Sequence, residues 1–267
     1  LKRDFYENIN KAIKIFTGLN DKANLAESYR YLSKYYMEYH NQRMFSEYNA
    51  KAAEIYKYLN DSIGLAVCYT DLGKILSIQK KYEIAENFFR ISLRILESAA
   101  DTIPLASLLS NYSYLYKNQN KFSEQLAVAE RAAELVKNID NKLIIAFTYS
   151  DYGSALNNNN KTGKAISVLK IAYDNAQATQ ADVLMSQVCR NLSESYLQEK
   201  DYENAIRYKD STFTHFTLYS RKANLEIAES EKYERELEAN KLEAQARVVR
   251  ITYLAVILVV LLLFFAV

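Results

Sequence analysis

Four asparagines run into Lys161, Thr162, Gly163 and Lys164, and this is the densest chemical cue in the chain. A turn ending in Gly-Lys is what a phosphate-cradling loop needs, because backbone N–H groups and an ammonium together hold a polyphosphate. The full pattern also requires glycine five residues before the Gly-Lys pair and a hydroxyl directly after it. Those positions hold Asn158 and Ala165, so the nucleotide reading fails. His40 and His215 are isolated, and neither an H-E-x-x-H, a C-x-x-C nor a Cys/His cluster is present, which leaves a metal site without support. Serines and aspartates are plentiful, but no histidine is placed to activate one, so no nucleophile–base arrangement can be nominated. The expectation is a protein that is not an enzyme and carries no cofactor. Four N-x-S/T triplets, at Asn60, Asn111, Asn160 and Asn191, are frequent by chance and carry no weight.

What positions these residues is a chain with one proline and five glycines in 267 residues. So few breakers leave little room for a turn-rich β fold and favour long helices joined by short turns. Hydrophobic residues make up 49% of the chain, enough for a sizeable core. A net charge of +2, with both signs dispersed, argues against a nucleic-acid surface. Two cysteines do not make a disulfide framework.

The chain repeats itself every forty residues. LNDKANLAESY (19–29) returns as LNDSIGLAVCY (59–69), and KAAEI (51–55) as RAAEL (131–135). Tyr29, Tyr69, Leu109, Tyr149 and Cys189 share one register, and Leu32, Leu72, Tyr112, Tyr152 and Leu192 another. The next position is always small: Ser33, Gly73, Ser113, Gly153, Ser193. Then come Tyr36, Leu76, Tyr116, Leu156 and Tyr196, and later Ala52, Ser92, Ala132, Ala172 and Thr212. Large residues at steps of three and four form one stripe on a helix, and the small residue beside them lets a partner helix come close. Many of the 23 tyrosines fall on this stripe and are thereby expected in the core. Asp21, Asp61, Asp101 and Asn141 are expected to cap the first helix of their copies, whereas Ala181 breaks that set.

These residues resemble the tetratricopeptide repeat (TPR) family, whose motif has bulky–Leu–small–Tyr in helix A and Tyr, Ala, Phe and Ala in helix B. The best copy has Tyr69, Leu72, Gly73, Leu76, Tyr82, Ala85, Phe89 and Ser92. The period exceeds the family's usual spacing of about 34 residues, implying helices nearly a turn longer. HEAT repeats have a period near forty, but the small residues inside both helices favour the TPR pattern. The implied fold is an all-α, TPR-like solenoid of helix-turn-helix repeats. Residues 1–21 supply the second helix of a partial N-terminal repeat and 22–215 five repeats. The Asn run then becomes the turn between helices A and B of the fourth.

Residues 216–250 contain neither Gly nor Pro and mix both charges, reading as a helical stalk. Leu218, Leu225, Ala228, Leu237, Leu242 and Val249 offer an irregular seam for a homodimer; a solvated helix capping the solenoid is the alternative. Residues 251–267, ITYLAVILVVLLLFFAV, carry no charge and would span roughly 25 Å at about 1.5 Å per residue. That is a little short of the hydrocarbon layer of about 30 Å. With no polar face they read as a transmembrane helix in contact with the bilayer, cut short at Val267, rather than as a buried core helix.

In TPR proteins the A-helix face away from the packing stripe lines a concave groove that binds proteins or peptides. Carried over position by position, the resemblance puts Arg30, Tyr31, Lys34, Asp71, Lys74, Asn111, Tyr114, Asp151, Arg190, Asn191 and Glu194 on that face. The Lys–Asn–Asn–Lys–Arg clamp that chaperone-binding members use for a C-terminal carboxylate is not reproduced in consecutive repeats. The layout as a whole resembles membrane-anchored bacterial TPR regulators, of which this chain would be the input half. The expectation is a sensory or interaction module of a signal-transduction or transcription regulator, single-pass in the inner membrane with its repeats in the periplasm. Arg247 and Arg250, which precede the span, argue on charge alone for the opposite sidedness. A membrane-anchored assembly scaffold without signalling is the alternative.

Overall fold

The computed structural model describes residues 2–38 and 41–265; side-chain burial is not described at 2–4, at 38 and for many residues from 226 on. Among the described residues the chain is helix and short turn. Its helices are α1 (Lys2–Leu19), α2 (Lys22–Glu38), α3 (Gln42–Tyr58), α4 (Ser62–Ile78), α5 (Tyr82–Ala99), α6 (Thr102–Asn118), α7 (Phe122–Val136), α8 (Lys142–Asn158), α9 (Thr162–Thr179), α10 (Asp182–Gln198) and α11 (Tyr202–Phe265). The even-numbered helices are the expected A helices and the odd-numbered ones from α3 on the B helices.

Burial follows the repeat. Helix α5 buries Ala85, Phe89, Ser92 and Leu96, one stripe at steps of three and four. The A helices are wedged between two B helices and bury more: α6 hides Leu105, Ala106, Leu108, Leu109, Tyr112 and Leu115. Each A helix packs on its own B helix and on the one before it. The A helices α4, α6, α8 and α10 also touch their neighbours in turn. Curvature therefore places the A helices on the inner wall. The small residues do what the spacing predicts, with Ser33 and Ser113 buried and Ser193 donating its hydroxyl to Ala205 O at 2.8 Å. Cys68 and Cys189 are free and buried.

The turns recur at half the repeat. Asn20, Asn60, Lys80, Ala100, Asn120, Asn160, Gln180 and Lys200 all have φ between 53° and 62°. Position 40, which would complete the series there, lies outside the described residues. At most of these ends the next N–H closes a wide turn back to the helix, as in Lys161 N to Leu156 O at 2.9 Å. The left-handed residue frees the chain to reverse while the last carbonyls stay bonded. Asn160 fills that role in the asparagine run. The series skips position 140, where α7 ends early at Val136 and residues 137–141 take a looser path.

Three of the four expected caps form. Asp21, Asp61 and Asn141 accept from the backbone N–H three residues on, at 3.1, 2.8 and 3.1 Å. Asp101 does not, because the third residue of its helix is Pro104, which has no N–H to give. The stalk is not a separate element. Helix α11 runs unbroken for 64 residues from the fifth repeat through the charged segment. It packs on α10 and also reaches α1. The stalk seam is solvent-exposed at Leu218, Leu225, Leu242 and Val249, and Leu237 lies outside the described side chains. The proposed span over 251–267 has a helical backbone to Phe265, but its side chains lie almost wholly outside the described residues. Among the described residues no helix is long and apolar enough to cross a membrane.

Candidate functional site: the inner wall of the solenoid

Two depressions open on the wall made by the A helices. The first, about 350 Å³, lies across α2, α4 and α6, and the second, about 330 Å³, across α6, α8 and α10. Arg30, Lys34, Asp71 and Asn111 line the first; Tyr114, Asp151, Arg190, Asn191 and Glu194 line the second. Tyr31 and Lys74 line neither. Tyr31 is half-exposed with the Arg30 guanidinium 4.9 Å from its ring centre. Lys74 acts at a distance, through its charge on Asp71 and Asp151.

The period explains this grouping. Positions 71, 111, 151 and 191 are one rung repeated: Asp, Asn, Asp, Asn on successive A helices. In the later repeats the rungs are tied to one another. Asn191 is buried and donates its amide to Ser150 O and Oγ, both at 3.1 Å. Asn157 donates to Asn191 O at 3.2 Å and pairs with Ser195 Oγ at 2.7 Å. Gln187 Nε2 donates to Asp151 Oδ1 at 3.1 Å, and Lys117 Nζ to Ser154 Oγ at 2.9 Å. Burial pushes the Asp151 carboxyl up to about 7, against the opposing pull of Lys117, Lys74 and the Gln187 hydrogen bond.

The first depression is built differently. Arg30 and Glu27 pair within α2 at 2.7 Å, and the Tyr56 hydroxyl donates to Glu27 at 2.7 Å. Burial disfavours the Glu27 charge, yet these two donors hold its carboxyl below its usual range. Asp71 is 8% exposed, and its Oδ2 is buried without a hydrogen-bond partner. Burial raises its carboxyl, with Lys34, Lys74 and Arg30 pulling the other way. Ile63, Val67, Ile103 and Pro104 form an apolar rim.

Sequence reasoning missed Glu27, Ser107, Lys117, Ser154 and Gln187. The signal was there, since each lies three or four residues from a residue already placed on the inner face, one helical turn away. Phe216 carried no such signal. It lines the second depression because α11 continues past the last repeat. Among the described residues no group of acidic, histidine or cysteine side chains is arranged to hold a metal ion.

This architecture matches solved structures. BtubC (BKLC) from P. vanneervenii superposes with a TM-score of 0.62 at 16% identity, covering 80% of this chain and 89% of its own. Aspartyl phosphate phosphatase F from Bacillus subtilis gives 0.56 at 14% identity over 82% of this chain, which spans 56% of that protein's length. A kinesin light chain of Podospora anserina with nearly identical TPR-like repeats gives 0.53 at 11% identity, covering 73% of this chain and 96% of its own. The fold is that of a TPR-like repeat protein. No described protein family matches the sequence, and no curated protein matches it.

Proposed function

We propose that the protein is a protein- or peptide-binding module whose ligand lies along the inner wall of its A helices. The observation that carries this is the pair of polar depressions on one continuous wall, each edged by exposed aromatic or aliphatic side chains and floored by buried polar ones. Stacked helix pairs of this kind create extended concave surfaces suited to a chain-like partner. Tyr114 and Arg190 are the anchors of the second depression, an exposed aromatic and an exposed cation of the kind that dominates interface energetics. Screening an immobilised peptide library tests this. Tyr114→Ala with Arg190→Ala is expected to abolish retention that Ile171→Ser, on the outer face, leaves intact. Equal loss or equal retention for both would remove the inner wall from the account.

The module is the input half of a membrane-anchored bacterial regulator, with residues 251–267 in the inner membrane and the repeats in the periplasm. The continuity of α11 supports this reading, since one helix joins the fifth repeat to the apolar segment. Transmission requires that ligand favour one of two arrangements. Spin labels on α4 and at Arg250 should report a distance change when a library-selected peptide binds; an unchanged distance would leave the scaffold reading instead. A single cysteine introduced at Lys137, exposed in the structure, should react with a membrane-impermeant maleimide in intact cells; protection until lysis would place the repeats inside.

A further inference from the structure

The two aspartate rungs differ in one respect that the repeat makes plain. Asp151 receives a hydrogen bond from Gln187, which lies on the next A helix thirty-six residues ahead. The residue in that register ahead of Asp71 is Ser107. Ser107 lines the same depression, but its short side chain makes no hydrogen bond to Asp71 Oδ2. The seat that the Gln187 amide fills in the second depression therefore has no built-in donor in the first. It holds instead a carboxylate oxygen that is buried and unpartnered.

A buried acceptor without a partner is costly, and a charged one more so. The protein's own cations act on it only through their charge, at a distance. Arg30 is committed to Glu27 at 2.7 Å, and neither Lys34 nor Lys74 makes a hydrogen bond to Asp71 Oδ2. Among the lining residues three are acidic, Glu27, Asp61 and Asp71, against two basic, Arg30 and Lys34. Ile63, Val67, Ile103 and Pro104 supply the apolar part of the lining.

We propose that the depression between α2, α4 and α6 is a specificity pocket for one basic side chain of a bound peptide, lysine or arginine. The aliphatic stem lies on the apolar part of the lining and the cationic head donates to the Asp71 carboxylate. This rests on the peptide-binding reading above and adds the chemistry of the residue selected. Long basic side chains suit such a site, since they bury their methylenes and present the charge at the tip. A charge-assisted bond in a water-poor site is stronger than a neutral one.

The test uses the full chain and an immobilised library of N-acetylated decapeptides varied one position at a time among arginine, citrulline and glutamate. Citrulline keeps the shape of arginine and removes the charge. Retained peptides are expected to carry arginine over citrulline at one position, by about ten-fold or more for a charge-assisted bond. Asp71→Asn, which keeps the side-chain shape, should erase that preference while circular dichroism shows the helix content unchanged. Lys34→Met, which removes the cation competing for Asp71, should strengthen it. A merely structural Asp71 would not give these opposite responses. Peptides retained with no preference for arginine, or a preference that survives Asp71→Asn, overturn this proposal while leaving the binding module standing. No peptide retained at all overturns both.

Discussion

A Cβ on Gly73 would lie 2.4 Å from Cε1 of Phe89, in the space that the phenylalanine ring occupies. The contact is repeated two copies on, where a Cβ at Gly153 would lie 2.4 Å from Cγ of Leu169. Each pair fixes how near an A helix comes to its own B helix.

Gly153→Ala is therefore expected to destabilise the protein by about 1–3 kcal/mol, the usual cost of overpacking, although alanine is the better helix former. Gly163 is also helical, but nothing lies within 4 Å of a Cβ there. Gly163→Ala should be neutral or gain up to about 1 kcal/mol from helix propensity. Urea unfolding of both variants checks the contrast, and equal effects would show that Leu169 yields without cost.

Ala100 sits at φ 53° in a position where a side chain is disfavoured. Left-handed geometry costs a non-glycine residue about 1–2 kcal/mol, and glycine returns about 0.4–1 kcal/mol of that through its freer unfolded chain. Ala100→Gly should thus stabilise by about 0.5–1 kcal/mol. The same change at Asn160, whose side chain tolerates this region, should gain less. A lower urea midpoint for Ala100→Gly would contradict the turn analysis.

Asp151 predicts a pH dependence. Its carboxyl lies near 7 in the fold and near 3.8 when unfolded, so between those values the folded state binds the extra proton. Stability from this group is present below about 4, falls as pH rises to about 7 and is flat above. Asp151→Asn should remove that slope and raise the melting temperature most at pH 8, relative to wild type. A difference between the two proteins that does not vary from pH 4 to 8 would mean that the carboxyl titrates normally.

Asn157 ties α8 to α10 through Asn191 O and Ser195 Oγ. Asn157→Ala leaves buried polar atoms without partners and should cost about 1–3 kcal/mol. Hydrogen exchange would show the loss concentrated in α8 and α10. A uniform change along the chain would mean that these helices do not separate as a local unit.

How much was legible in advance differs from residue to residue. The small positions at 73 and 153 were readable because a close helix crossing needs them wherever the pair sits. The cap at Asp101 was misread. Its side chain has the right chemistry, but its acceptor role depends on an N–H that Pro104 lacks, a three-residue relationship that single-position reasoning passes over. The left-handed turns at positions such as Lys80 and Ala100 carry no glycine, so their period of twenty appears only in the backbone. Placing Asn191 on the inner face was possible from the register, but not that its amide would be bound inward to Ser150.

The forty-residue period, the alternation of A and B helices and the rung of Asp and Asn at positions 71 to 191 were set by the order of residues alone, because helical periodicity turns spacing directly into faces. The difference between two chemically identical aspartates was decided only by tertiary structure. What Asp71 and Asp151 each meet depends on a residue thirty-six positions ahead on another helix, serine in one case and glutamine in the other. A carboxylate's partner is a matter of distance in space, and superhelical stacking sets that distance.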